Sequence, residues 1–229
     1  MGVIAKIVAK QSKQAYGRVK DFFSGTPAKE QPKQYQLGLR LNAVLRFEPT
    51  DFILAGDNLK LEVPDSDLTV MAVGEFRCMG VNFCRFYAKD LDDREWVLQV
   101  GGEGDDREII LYQTLDEIFP DDWDLWLNDS TGLIGYKDFN TPDQVEYARV
   151  FYNPGPDYAN PIEFRETIGS GGSTFYIDQA MMLYGRNISI PGGREMPEYL
   201  LVTREEDEEG ALVRIMTGVP LNAMSFTVL

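Results

Sequence analysis

The feature that most constrains the fold is a rhythm of short apolar runs. From Leu37 onward, segments rich in β-branched and aromatic residues alternate with clusters of Gly, Asp, Asn and Pro. LTVMAV, FRCMG, VNFCRFYAKD, REWVLQVGG and REIILYQTL follow one another in this way. After Gly132 come GLIGY, VEYARVFY, IEFRETI, STFYIDQAMMLYGR, EYLLVTRE, ALVRIMTG and AMSFTVL. Such runs suit the pleated, half-buried surface of a strand, and the residues between them suit tight turns. The rhythm predicts a mainly β fold (a β-rich α+β class), built as an antiparallel meander or sandwich-like body over 37–229. LGLRLNAVLRF reads as a strand or a short helix, and DFILA and LKLEV read with the strands, flanking a turn at Gly56-Asp57-Asn58. Pro120, with Asp121 and Asp122, opens a short helix carrying Trp123 and Trp126.

A faint internal echo runs through the body. FRCMGVNFCRFYAKD, REWVLQV, an acidic loop and EIILY are matched later by FYIDQAMMLYGR, EYLLVTR, an acidic loop and ALVRIMTG. A duplication would give two related lobes, 37–130 and 131–229; generic hairpin chemistry would give the same echo in one continuous unit.

The first residues differ in character. Residues 1–34 carry seven basic and two acidic side chains, and residues 35–229 carry fifteen basic and thirty-five acidic. On a helical wheel over 1–24, Ile4, Val8, Val19 and Phe22 form an apolar stripe flanked by Ile7 and Phe23. Lys6, Lys10, Lys13 and Lys20 gather opposite. Gly17 weakens the middle by about 1 kcal/mol relative to Ala, and Ser24-Gly25 ends the pattern. Residues 25–36 are polar, contain two prolines and read as a linker. These ten side chains form a candidate docking face for an anionic membrane surface or a partner helix. Burial of the stripe supplies about 25 cal/mol per Å², and each Lys or Arg near an anionic surface about 1 kcal/mol. The same face could instead pack on the body, or the leader could stay disordered.

The composition excludes several chemistries. The chain has no histidine, which removes Ser-His-Asp and Cys-His catalysis and any His-containing metal site. Cys78 and Cys84 lack the CxxC spacing of redox or zinc sites and read as small buried side chains with a turn at Gly80. IGSGGSTF lacks the lysine of a phosphate loop and reads as a hairpin turn. DLDDREW places Arg94 and Glu95 where a calcium loop needs a ligand and a glycine, so it reads as a hairpin loop. REEDEEG reads as an exposed hairpin tip. Acid pairs such as Glu163 with Glu166 and Asp121 with Asp122 are expected by chance among thirty-seven acids. The three tryptophans read first as packing residues. Catalytic, metal and cofactor residues are therefore assigned to none. The acidic body repels nucleic acid. No apolar run reaches the length of a spanning helix, and Lys6 and Lys10 interrupt any signal-peptide core, so a cytoplasmic protein is expected, peripheral at the inner membrane if the leader docks there.

RFYAKDLDDREWVLQV, REIILYQTL, VEYARVFY, EFRETI, and QAMMLYGR with EYLLVTREE together resemble an uncharacterised bacterial family, the YjfK-like proteins, over about 37–229. The resemblance implies association with membrane-stress systems that include PspA-like coiled-coil proteins, and it carries no catalytic residues. The expectation is a non-catalytic accessory or adaptor protein with a protein partner. The alternative is a binder of, or enzyme acting on, a cationic small molecule such as a polyamine, because carboxylates and aromatic faces both attract ammonium groups.

Overall fold

A computed structural model describes residues 33–229. The expected leader helix, most of the linker, and the docking residues from Ile4 to Phe23 lie outside the described residues.

The body is mainly β, as the rhythm implies. Its strands are β1 (Val44–Phe47), β2 (Leu68–Cys78), β3 (Val81–Lys89), β4 (Glu95–Gly101), β5 (Glu108–Ile118), β6 (Asp138–Asn140) and β7 (Glu146–Arg149). They continue with β8 (Ile162–Ser170), β9 (Ser173–Ile190), β10 (Arg194–Asp207), β11 (Gly210–Pro220) and β12 (Phe226–Val228). The α-helices are one-turn or two-turn pieces, α1 (Thr50–Ala55) and α2 (Asp124–Leu127).

The architecture corrects the sandwich expectation. Strands β2-β3-β4-β5-β11-β10-β9-β8 pair in that order, all antiparallel, and β8 pairs back onto β2. The sheet is a closed eight-stranded barrel. Three register pairs make the closing seam: Val73 with Gly169, Gly74 with Ile168, and Glu75 with Thr167. Closure removes the two edges that an open meander would expose. Four barrel strands come from each side of residue 130, and the sequence echo falls on β3–β5 and β9–β11.

Three further segments differ from their sequence reading. DFILA lies in α1, because Pro49 sits at the cap position and Phe52 and Ala55, three apart, bury one side. LKLEV has no regular structure. GLIGY folds into turns, with one bridge from Tyr136 to Tyr158.

Apolar side chains sort onto three surfaces by the period of two. Inward residues of all eight barrel strands, among them Ala72, Tyr87, Val97, Ile110, Ile177 and Leu201, form the lumen cluster. The outer wall of β2–β5 packs against Leu39, Phe52 and Leu61 with β1 and β12. The outer wall of β9–β11 packs against Trp126, Ile134, Phe139 and Tyr147. Trp96 belongs to the first outer cluster and Trp126 to the second, so the tryptophans share no common face. Cys78 faces the lumen cluster and Cys84 packs against the outer one; both are free thiols on opposite faces of the wall.

Candidate functional site

The lumen is layered along its axis. The turns β2–β3, β4–β5 and β9–β10 stand at one end, which is called the mouth below. At the mouth the wall encloses an apolar cavity of about 160 Å³ lined by Phe76, Tyr112, Met181, Leu183 and Leu201, with Gln99 and Glu108 as its polar members. Met79 and Val81, also in its wall, are 61% and 38% exposed, so the cavity opens at the β2–β3 turn. Val81, Phe83 and Glu108 also line a larger groove of about 780 Å³ that runs past Tyr35, Gln36 and Gly102.

Glycines shape this wall. A Cβ on Gly101 would stand 2.3 Å from the Phe83 ring, and one on Gly218 would stand 2.3 Å from the Tyr112 ring. Both rings lie against bare backbone, which lets large aromatics share a narrow barrel. Phe76 stacks on Phe83 at 5.1 Å and on Phe164 at 4.3 Å between centroids.

Beneath the cavity lies a polar layer. Arg85 and Glu166 are both buried, and Arg85 Nη1 donates to Glu166 Oε2 at 3.1 Å and to Gln179 Oε1 at 2.8 Å. Arg85 Nε donates to Gln99 Oε1 at 2.9 Å, which joins this layer to the cavity. Tyr87 donates to Glu166 Oε1 at 2.8 Å. The guanidinium also lies 4.6 Å from the centroid of Phe76, a cation–π contact. Burial raises the Glu166 pKa against the opposing pull of Arg85. Burial lifts the Tyr87 hydroxyl far above its ordinary range, and the Glu166 charge lifts it further.

At the far end, buried Arg214 pairs through Nε with Glu205 Oε1 at 3.0 Å and through Nη1 with Glu117 at 2.7 Å and Glu95 at 3.3 Å. This corrects the reading of REEDEEG. Only Glu208 and Glu209 form the hairpin tip, while Glu205 continues β10 and points inward. Arg85 Nη2, Glu205 Oε2 and Arg214 Nη2 are buried without a hydrogen-bond partner among the described residues. The other two motifs are turns. Gly171 and Gly172, both at positive φ, make the β8–β9 hairpin. Residues 90–94 make the β3–β4 hairpin around Asp90, which accepts from the amides of Asp92 and Arg94.

None of these lumen groups was picked out by motif. Their signal in the sequence is a charge inside a strand-like run, apolar around Arg85 in FCRFY and Arg214 in LVRIM and mixed around Glu166 in FRETI. Strand period then decides the face, since Glu166 points in and Glu163, three residues earlier, is exposed. The docking residues expected in the leader lie outside the described residues, and the described chain begins beside this site. Lys33 pairs with Glu75 at 2.6 Å, and the Tyr35 hydroxyl donates to Glu75 at 2.9 Å on the groove wall. Among the described residues, no three acidic or cysteine side chains are grouped to hold a metal ion.

A family described as "Protein of unknown function (DUF2491)" matches residues 13–227. No curated protein and no solved structure matches the chain.

Proposed function

Taking as premise that the chain belongs to the DUF2491 family of proteins of unknown function, we propose that it is a non-catalytic docking protein of a membrane-associated bacterial system. The finer likeness to YjfK-like proteins, with a PspA-like partner in the cytoplasm at the inner membrane, is part of this reading. In it the barrel is a rigid scaffold, and the basic leader and the mouth form one bipartite binding face.

The observation that carries the reading is Met79. It sits at the tip of the β2–β3 hairpin with φ +49°, followed by Gly80 at φ +83°. Two left-handed residues in a two-residue loop normally call for Asn-Gly or Gly-Gly. A methionine there bears a left-handed backbone cost of about 1–2 kcal/mol and leaves a flexible apolar side chain 61% exposed. Exposed methionines suit adaptable protein contacts. The described chain begins at the same end, where Lys33 and Tyr35 both bond Glu75 and Tyr35 lines the groove.

The test uses purified full-length protein, a form lacking residues 1–32, and Met79→Asn. Each is sedimented with vesicles containing anionic phospholipid and mixed with a purified PspA-like coiled-coil protein. Binding to either that falls when the leader is removed supports the reading. Failure of the full chain to bind both, or binding undiminished in the shortened form and in Met79→Asn, overturns it.

A further inference from the structure

We propose that the lumen cavity at the barrel mouth is a binding site for a small organic ammonium ion with a compact apolar body. The site goes beyond the docking reading and does not rest on it.

Size sets the body. A cavity of about 160 Å³ matches an engineered apolar cavity of about 150 Å³ that stays dry and takes up benzene. Leu183, Leu201, Met181 and the Phe76 and Tyr112 rings supply the apolar wall. A body of one ring or a short branched alkyl group fills it.

Two polar groups set the head. Glu108 stands at the opening and has no hydrogen bond or ion pair among the described residues. Desolvation by its surroundings raises its pKa even though the residue is exposed. Tyr112 is 1% exposed, yet its hydroxyl has no hydrogen bond among the described residues, and it lines the cavity. A phenol oxygen that bonds no described residue is available to a donor brought by a ligand. An ammonium carries three donors. It can donate to the phenol oxygen and the carboxylate together while its body covers the aromatic faces. Its charge would also face Glu108, which pairs with no cation among the described residues. The acidity of the body, with thirty-five acidic and fifteen basic side chains over 35–229, favours cationic over anionic ligands in general. An extended polyamine, with several charges along its chain, does not suit a cavity whose depth is apolar.

The test uses the full chain with ¹³C-methyl-labelled methionine. Met79 and Met181 line the cavity, whereas Met182 packs on the outer wall and Met224 is exposed elsewhere. Benzylamine and its neutral isostere benzyl alcohol are titrated in turn. The expected result is a saturable shift of the Met79 and Met181 signals, with benzylamine binding at least about tenfold more tightly, the worth of one charge-assisted contact. Glu108→Gln should bring the two affinities together, and Tyr112→Phe should weaken benzylamine several-fold. In the unsubstituted protein, raising salt from about 0.05 to about 0.5 M should narrow the gap, because screening weakens only the charged ligand. That measurement keeps the proposal testable if a variant does not fold. Absence of a saturable shift at Met79 and Met181, equal affinity for the two probes, or a gap that survives both Glu108→Gln and high salt would overturn it.

Discussion

Gly74 and Glu166 meet across the seam that closes the barrel. A Cβ on Gly74 would stand 1.7 Å from Glu166 Oε1, the oxygen that accepts from Tyr87 at 2.8 Å. The glycine of β2 is thus the space in which the central carboxylate of the lumen sits, and the seam it belongs to has three paired positions.

Gly74→Ala should therefore destabilise the protein although alanine ordinarily favours a strand over glycine. The methyl must push the carboxylate off Arg85 and Tyr87, an overpacking cost of about 1–3 kcal/mol. Gly169→Ala, on the facing strand, meets only the Val73 carbonyl at 3.9 Å and should be close to neutral. Urea unfolding of both variants reads the difference; equal stabilities would mean the seam is plastic.

The Arg85–Glu166 pair invites a double-mutant cycle. Either Arg85→Met or Glu166→Leu alone leaves the opposite charge buried and should cost about 3–5 kcal/mol. The double variant should recover much of that loss, because its two costs share one origin. Additive losses in chemical denaturation would show that Gln99, Gln179 and Tyr87 compensate each charge separately.

Asp90 predicts the direction of an acid dependence. Burial alone would raise its pKa. Hydrogen bonds from the Arg94 amide, the Trp96 indole and the Arg94 guanidinium outweigh that and hold it below its ordinary 3.8. A folded value below the unfolded one means the contribution is present above the unfolded pKa and is lost as pH falls through the folded value. Asp90→Asn should lower stability at neutral pH by about 1–3 kcal/mol and shrink the decline seen below about pH 5. A decline of unchanged depth in thermal melts would assign it to other carboxylates.

Glu198 ties the Lys60 loop and β7 to the barrel. It is wholly buried and accepts from Lys60 N at 2.5 Å, Tyr147 OH at 2.8 Å and Arg186 Nε at 2.7 Å. Glu198→Ala strands the Arg186 charge and should cost about 3–5 kcal/mol. Hydrogen exchange should show loss of protection at the Lys60 and Leu61 amides before the barrel strands themselves respond. Uniform loss over the whole body would instead make the hub part of one cooperative unit.

The amino-acid sequence alone determined that this chain would be strand-rich and antiparallel, and where most of its hairpins turn. Those properties are local: a β-branched run favours extension, and Met79-Gly80, Gly171-Gly172 and Glu208-Glu209 reverse the chain within a few residues. Tertiary structure decided that the sheet closes, because the pairing of β2 with β8 joins residues nearly a hundred positions apart and no local signal records it. It also decided the face of each charge. Arg85, Glu166, Glu205 and Arg214 look like surface residues by type, and only closure turns their side of the strand into an interior. The cavity at the mouth belongs to the same level, since its wall draws single side chains from strands that meet only when the barrel is complete.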